Sequence, residues 1–402
     1  MHLRKNLTEI TPSLTLVLNT KAEEKKKKGI DVVSFIVGEP DFATPDHIKM
    51  AGIEAITHNF TKYTNGIGIT ELRQAIVEKF KKENGLDYTI DHIAVSNGGK
   101  QSISGAIFAL IDPGEEVLIP RPYWLSYPAM VNLAGGKPVY LDTSAENGYK
   151  ITPEQLREKI TPKSRLLLLN SPCNPTGTVY HRKDMEALVP VIKESGITVI
   201  SDEIYEKLIY DQVPFVSLAE FKEIKDQVVV VNGVSKAFAM TGWRIGYLAA
   251  HPDIVKAINK VQSHFTGNPC SISQKASARA VAASMNAGRE SLSNMQNAFH
   301  RRRDLSYHLI REISDLPCHK PEGAFYLFPK SDAYYRTTYG EKRILNSQDL
   351  AEYLLEECRV AVVPGAEFGS DDSFRISFAT SEEQIEKGMA RIKEGLARLK
   401  KG

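Results

Sequence analysis

Cysteine is scarce in this chain. The four present (Cys173, Cys270, Cys318 and Cys358) stand apart, with no CxxC and no Cys/His spacing. A disulfide framework or a cysteine-built zinc site is therefore excluded as an organising feature, no metal is expected, and a reducing compartment is the natural setting. Neither sign of charge dominates: 51 Lys and Arg face 49 Asp and Glu, so nothing points to a nucleic acid or a membrane held by bulk charge. The one basic run, Lys25 to Lys28, follows Glu23-Glu24 and precedes Gly29, which reads as a helix ending in cations that suit its dipole. No apolar run approaches the roughly 20 residues of a membrane span, and Met1-His2-Leu3-Arg4-Lys5-Asn6 lacks the apolar core of a signal peptide. Asn6-Leu7-Thr8 and Asn59-Phe60-Thr61 match the glycosylation tripeptide, which carries little weight without secretion. A soluble cytoplasmic protein is expected. Repeats and low-complexity linkers are also missing, and 402 residues exceed one ordinary core, so two domains are expected.

What is present is an alternation of short apolar runs and helical patterns, as in a parallel sheet covered by helices. Candidate strands run over His92 to Ser96, Glu116 to Ile119, Pro138 to Leu141, Arg165 to Leu169, Ile197 to Ser201 and Val228 to Val231, and Tyr247 to Ala250 could add an antiparallel one. Helical stretches include Lys100 to Leu110, Pro153 to Ile160 and Arg182 to Glu194. Polar and glycine-containing motifs follow the strands directly: Asn97-Gly98-Gly99-Lys100, Asn170-Ser171-Pro172, Asp202-Glu203 and Asn232-Gly233. Open α/β sheets bind ligands beyond the carboxyl ends of their strands, so these motifs are expected to share one site. From about Ala298 the pattern changes to longer helices and an antiparallel-looking pair, around Ala324 to Phe328 and Phe374 to Ser377. Residues 46–297 are expected to form the larger domain, and residues 1–45 with 298–402 a smaller one.

The most informative window is Asn232 to Tyr247. It sets Lys236 just past the buried run Val228 to Val231 and Arg244 eight residues later. A lysine desolvated there can be neutral and nucleophilic, and an arginine grips phosphate; pyridoxal phosphate needs these two attachments, a Schiff base and an anion clamp. Alone, Lys236 is more simply a solvated lysine after a strand. Asp202 ends a strand, with Tyr205 three residues on in what reads as an incipient helix. A buried carboxylate needs a cation, and a pyridinium nitrogen is one, though an N-cap aspartate is the ordinary alternative. Asn174 sits in Asn170 to Gly177, a turn stiffened by Pro172 and Pro175. Gly98-Gly99-Lys100-Gln101 closes a strand and opens a helix, where free N–H groups attract anions; with Arg244 and Ser235 it is assigned to the phosphate. Trp124 offers a flat face for a pyridine ring. Arg375, a charge in an alternating strand, suits bidentate capture of a carboxylate.

Together Gly38-Glu39-Pro40-Asp41-Phe42, Lys62-Tyr63-Thr64, Gly98 to Gln101, Trp124, Asn170 to Gly177, Asp202 to Tyr205, Ser235 to Tyr247 and Phe374 to Thr380 resemble the class I, fold-type-I aminotransferases, nearest the bacterial and thermophile aspartate branch. The likeness runs in order from about Ser13 to Ala390. It implies an α/β fold, a mostly parallel seven-stranded sheet covered by helices with a smaller α+β domain, and pyridoxal 5'-phosphate as cofactor. It implies Lys236 as cofactor lysine and proton shuttle, Asp202 on the pyridine nitrogen, Tyr205 and Asn174 on the ring oxygen, Trp124 on the ring face and Arg244 on the phosphate. Gly38, Asn174 and Arg375 would surround the substrate carboxylate. A family tyrosine matching Tyr63 reaches the neighbouring subunit's phosphate, which implies a homodimer with shared sites. Many relatives carry serine where this chain has Gly233, and Ser235 is then the substitute phosphate contact.

The implied activity is a two-stage exchange between L-aspartate or glutamate and 2-oxoglutarate or oxaloacetate, through pyridoxal and pyridoxamine phosphate forms. Lys100 is the hint for a dicarboxylate, since relatives of this branch turn that lysine toward the distal carboxylate. Prephenate use in relatives draws on an N-terminal arginine and a threonine; Thr15 matches the threonine, but Glu9 stands at the arginine position. Aromatic or alanine-type specificity and a β-lyase on the same scaffold are the catalytic alternatives. A cofactor-sensing regulator domain would need a DNA-binding module ahead of the matched region, for which a match starting near Ser13 leaves no room.

Overall fold

Seven strands build the central sheet: β1 (Ile93–Ser96), β2 (Glu116–Arg121), β3 (Lys137–Asp142), β4 (Ser164–Asn170), β5 (Thr198–Asp202), β6 (Val228–Gly233) and β7 (Gly246–Ala249). The structure is a computed structural model describing residues 14–401 apart from residue 287. Glu9 and Asn6-Leu7-Thr8 lie outside the described residues, and Thr15 is described only as helical backbone. Alternate residues of the strands feed two separate cores. Leu118, Leu167, Leu169, Val199, Val228 and Val230 pack into one, and Val117, Ile119, Leu166, Leu168, Ile200, Val229 and Val231 into the other. A period of two with both faces apolar is the signature of a sheet covered on both sides.

The spatial order is β1-β7-β6-β5-β4-β2-β3. The pairs from β6 across to β3 are parallel, while β7 runs antiparallel between β1 and β6. The antiparallel strand expected near Tyr247 is thus present, and the other six strands end on one edge. The helices Gly99–Leu110, Pro153–Lys159 and Arg182–Ser195 fall where the pattern put them. The helix Leu14–Lys27 ends in Lys25, Lys26 and Lys27, and Gly29 follows at φ 78°. Among the described residues no helix is long and apolar enough to cross a membrane.

A third core joins the two ends of the chain. Leu18, Val33 and Phe35 pack with Phe299, Leu354, Val360, Phe374 and Ile392, and the strand Val33–Ser34 pairs parallel with Val360–Ala361. The antiparallel pair expected in this part forms between Tyr326–Leu327 and Phe374–Ser377. Tyr205, Leu208 and Tyr210 belong to this same core although they follow β5.

That placement corrects one expectation. No helix follows Asp202; residues 204–207 form a turn. The chain is drawn out of helical geometry by long-range pairing: Ile209 bridges Gly323, and Tyr210 N–H bonds Glu322 O at 2.9 Å. Behind the turn, Glu206 forms a buried ion pair with Lys79 and accepts from Asn84 Nδ2 at 3.1 Å.

Candidate active site

The carboxyl ends of β1, β2, β4, β5 and β6 and the start of β7 enclose one cavity of about 330 Å³, in the range of small-molecule sites. Of the thirteen residues singled out from sequence, eleven line it: Gly38, Gly99, Lys100, Trp124, Asn174, Asp202, Tyr205, Ser235, Lys236, Arg244 and Arg375. Gly98 adjoins the wall. Tyr63 does not reach the cavity and is 97% exposed.

Lys236 follows the buried β6, and its Nζ donates to Gly38 O at 2.5 Å. Burial is the main reason its pKa falls to about 8; the Glu39 carboxylate opposes the fall, while Arg375 and Arg244 assist it. Asp202 closes β5 at 6% exposure. Its Oδ2 accepts from the Tyr127 hydroxyl at 2.7 Å, and its Oδ1 from Ile204 N–H at 3.3 Å. Burial pushes this carboxyl up to about 6, against the pull of those two donors and of Lys236. The Tyr205 hydroxyl pairs with that of Tyr326 at 2.8 Å.

At one end, Gly98 (φ 87°) opens the helix Gly99–Leu110, whose first N–H groups have no acceptor within the helix. Arg244, itself in the left-handed region at φ 57°, donates to Thr241 O at 2.8 Å. It lies so close that a Cβ on Gly98 would sit 2.5 Å from its Nη2. A Cβ on Gly246 would meet the Gly98 carbonyl carbon and the Gly99 nitrogen at 2.3 Å, so β7 can enter here only through glycine. Gly233 is less confined: its Cβ would lie 3.1 Å from Gly246 Cα, Ile204 Cδ1 and Ile245 O.

At the other end, Arg375 is 3% exposed. It donates to Asn174 Oδ1 at 3.0 Å and to Ile36 O at 2.7 Å. Its guanidinium lies 4.4 Å from the centre of the Tyr326 ring and 5.0 Å from that of Phe368, and its Nε has no partner. Asn174 is held in turn, its N–H bonded to Asn170 Oδ1 at 2.8 Å, while Asn170 Nδ2 bonds Asp202 O at 2.9 Å. Lys100 Nζ sits 5.1 Å from the centre of the Trp124 ring. Lost solvation first, and Arg244 second, hold its pKa below the ordinary value. Lys100, Lys236, Arg244 and Arg375 line the cavity together with a single carboxylate, Asp202.

Three site residues were not singled out from sequence. Tyr127 lies in the window around Trp124, on the first turn of the helix Ser126–Leu133, and only its contact with Asp202 marks it. Asn170 belonged to a recognised motif but its bracing of two site residues depends on the fold. Tyr326 stands in a run of aromatics, Phe325 to Phe328, where no local signal selects it.

These features define a cofactor-dependent transferase of the α/β class. The family described as "Aminotransferase class I and II" matches residues 30–392, and the chain belongs to it. A "Probable aspartate/prephenate aminotransferase" of Rickettsia conorii is 46% identical over 389 residues, covering 96% of each chain. An "Aspartate aminotransferase" of Geobacillus stearothermophilus is 44% identical over 98% of each. Among solved structures, the aspartate aminotransferase of Rhizobium meliloti superposes with a TM-score of 0.95 at 41% identity over all of both chains. That of Thermus thermophilus with maleate does so at 0.92 and 39%, over 98% of this chain and all of the other. The protein is a fold-type-I aminotransferase that uses pyridoxal 5'-phosphate. The cavity fits that group: a buried carboxylate whose hydrogen bonds come from neutral donors, a confined lysine, and an arginine beside a helix N-terminus answer a pyridinium, an aldehyde and a phosphate.

Proposed function

We propose that this enzyme exchanges the amino group of L-aspartate or glutamate with 2-oxoglutarate or oxaloacetate. The observation that carries the reading is the cavity's charge: besides the cofactor lysine, three cations (Lys100, Arg244 and Arg375) face one carboxylate, a surplus suited to a phosphate and a dicarboxylate together. When bound, pyridoxal phosphate supplies an aldehyde carbon for the lysine and a ring that accepts the electron pair left by the α-proton. Asp202 would hold the proton on the ring nitrogen, and Tyr127 keeps that carboxylate oriented. Tyr205 and Asn174 would donate to the ring oxygen, and Trp124 would cover the ring face. Gly98, Gly99 and Ser235 with Arg244 hold the phosphate. Arg375 clamps the α-carboxylate beside Gly38, and Lys100 meets the distal one.

Lys236 moves the proton. With its pKa lowered to about 8, a share of the amine is unprotonated near neutral pH, and it would take the proton from the substrate's α-carbon and deliver it to the former aldehyde carbon of the cofactor, two bonds away. Its bond to the Gly38 carbonyl gives the free amine a fixed resting position.

The dimer reading extends this site. Tyr63 is almost fully exposed and is assigned to the phosphate site of a second copy. The division into a larger domain at 46–297 and a smaller one at 1–45 and 298–402 is supported by the core that joins both chain ends.

The test is a half-reaction screen. Holoenzyme mixed with single amino acids should convert to the pyridoxamine form rapidly with aspartate and glutamate and slowly with tyrosine or alanine. Preference for tyrosine or alanine would remove Lys100 from its role. Relatives named for both aspartate and prephenate keep prephenate as a second reading, checked in the same enzyme as the amino acceptor. Release of pyruvate and ammonia from a cysteine conjugate would identify a β-lyase instead.

A further inference from the structure

Tyr326 is fully buried and touches three parts of the site at once. Its ring lies against the Arg375 guanidinium. Its hydroxyl bonds Tyr205 Oη, and a Cβ on Gly38 would come within 3.0 Å of the same oxygen. The strand pair fixes it there, with Tyr326 opposite Ser377 and Leu327 opposite Ile376. A phenylalanine would fill this volume and keep the stack on Arg375. Burying a hydroxyl is unfavourable unless it is bonded, and its partner is the Tyr205 hydroxyl.

We propose that Tyr326 is a positioning residue that acts on the cofactor's ring oxygen through Tyr205; the inference rests on the role given to Tyr205 above. Tyr205 has one hydroxyl proton. If it donates that proton to the ring oxygen, its own oxygen is free to accept from Tyr326. The result is a chain, Tyr326 O–H to Tyr205 O–H to ring oxygen, in which each bond polarises the next. The charged groups facing the two tyrosines are Arg375 and, beside Tyr205, Asp202. Burial raises both tyrosine pKa values, so both hydroxyls keep their protons and can donate. The chain strengthens donation to the ring oxygen and weakens that oxygen's hold on the proton of the nearby Lys236 nitrogen.

The experiment is a visible-absorbance pH titration of the loaded enzyme, as wild type, Tyr326→Phe, Tyr205→Phe and the double variant. Tyr205→Phe should raise the midpoint. Tyr326→Phe should raise it less, by roughly a tenth to a third of the Tyr205→Phe shift, since neighbouring bonds strengthen one another by about 10–30%. In the Tyr205→Phe background the second change should add nothing, because its effect passes through the missing hydroxyl. A midpoint unmoved by Tyr326→Phe, with Tyr205→Phe shifting it, overturns the inference and leaves the Tyr205 role intact. A shift that persists in the double variant also overturns it. A midpoint unmoved by Tyr205→Phe removes the Tyr205 role and the relay with it.

Discussion

Arg375→Lys separates a carboxylate clamp from a buried structural cation. Arginine here has two nitrogens engaged with Asn174 and Ile36, a third without a partner, and a flat face near Tyr326 and Phe368. Lysine keeps the charge but has neither the fork nor the plane. Losing one charge-assisted bond of a bidentate pair removes roughly 1.5–3 kcal/mol, and the lost stacking adds about 0.5–1 kcal/mol. At about 1.4 kcal/mol per tenfold, kcat/KM should fall by roughly 30- to 700-fold. The assay is stopped-flow conversion of the holoenzyme by single amino acids, with cofactor content and thermal melting measured in parallel. Every amino acid has an α-carboxylate, so the loss should be similar for aspartate, glutamate and any slower donor. Lys100→Ala should instead penalise the two dicarboxylates alone. A folded, cofactor-replete Arg375→Lys enzyme within fivefold of wild type would refute the clamp.

Three further outcomes follow from the geometry. The Asp202 carboxyl lies at about 6 in the folded chain against 3.8 in the reference state, so without cofactor the folded state binds that proton more tightly and stability declines as pH rises from about 4 to 6; Asp202→Asn should remove that cost and stabilise cofactor-free protein at pH 7 by about 3 kcal/mol in denaturant melts, while turnover collapses. Gly246→Ala places a methyl group 2.3 Å from the Gly98-Gly99 backbone and should cost roughly 1–3 kcal/mol, with weaker cofactor retention on gel filtration. Tyr63→Ala, at a 97% exposed position, should leave the melting of dissociated cofactor-free chains unchanged but weaken cofactor binding in the assembled enzyme; unchanged binding would remove Tyr63 from the site.

The part of this protein that could be read from its sequence is the part specified by short-range pattern. Val228 to Val231 and Leu166 to Leu169 are apolar without interruption because both faces of the sheet are covered, so their strands announce themselves. The residues just past those strands could be assigned to one site because strands running the same way must end on the same edge. The sequence pattern puts Tyr205 in this cavity but on a helix that does not form, since the pull that unwinds its segment comes from Glu322 to Ala324, more than a hundred residues away. Tyr127 and Tyr326 escaped for the same reason. A tyrosine beside a buried run reads as core until its hydroxyl partner is known, and those partners, Asp202 and Tyr205, lie 75 and 121 residues away. Arg375 shows the opposite limit. Its sequence context is compatible with an ordinary outward charge, yet it is buried and its hydrogen bonds go to the neutral oxygens of Asn174 and Ile36. A buried cation lacking its counter-charge is a cost to the empty fold, which makes sense when the counter-charge is brought by the substrate.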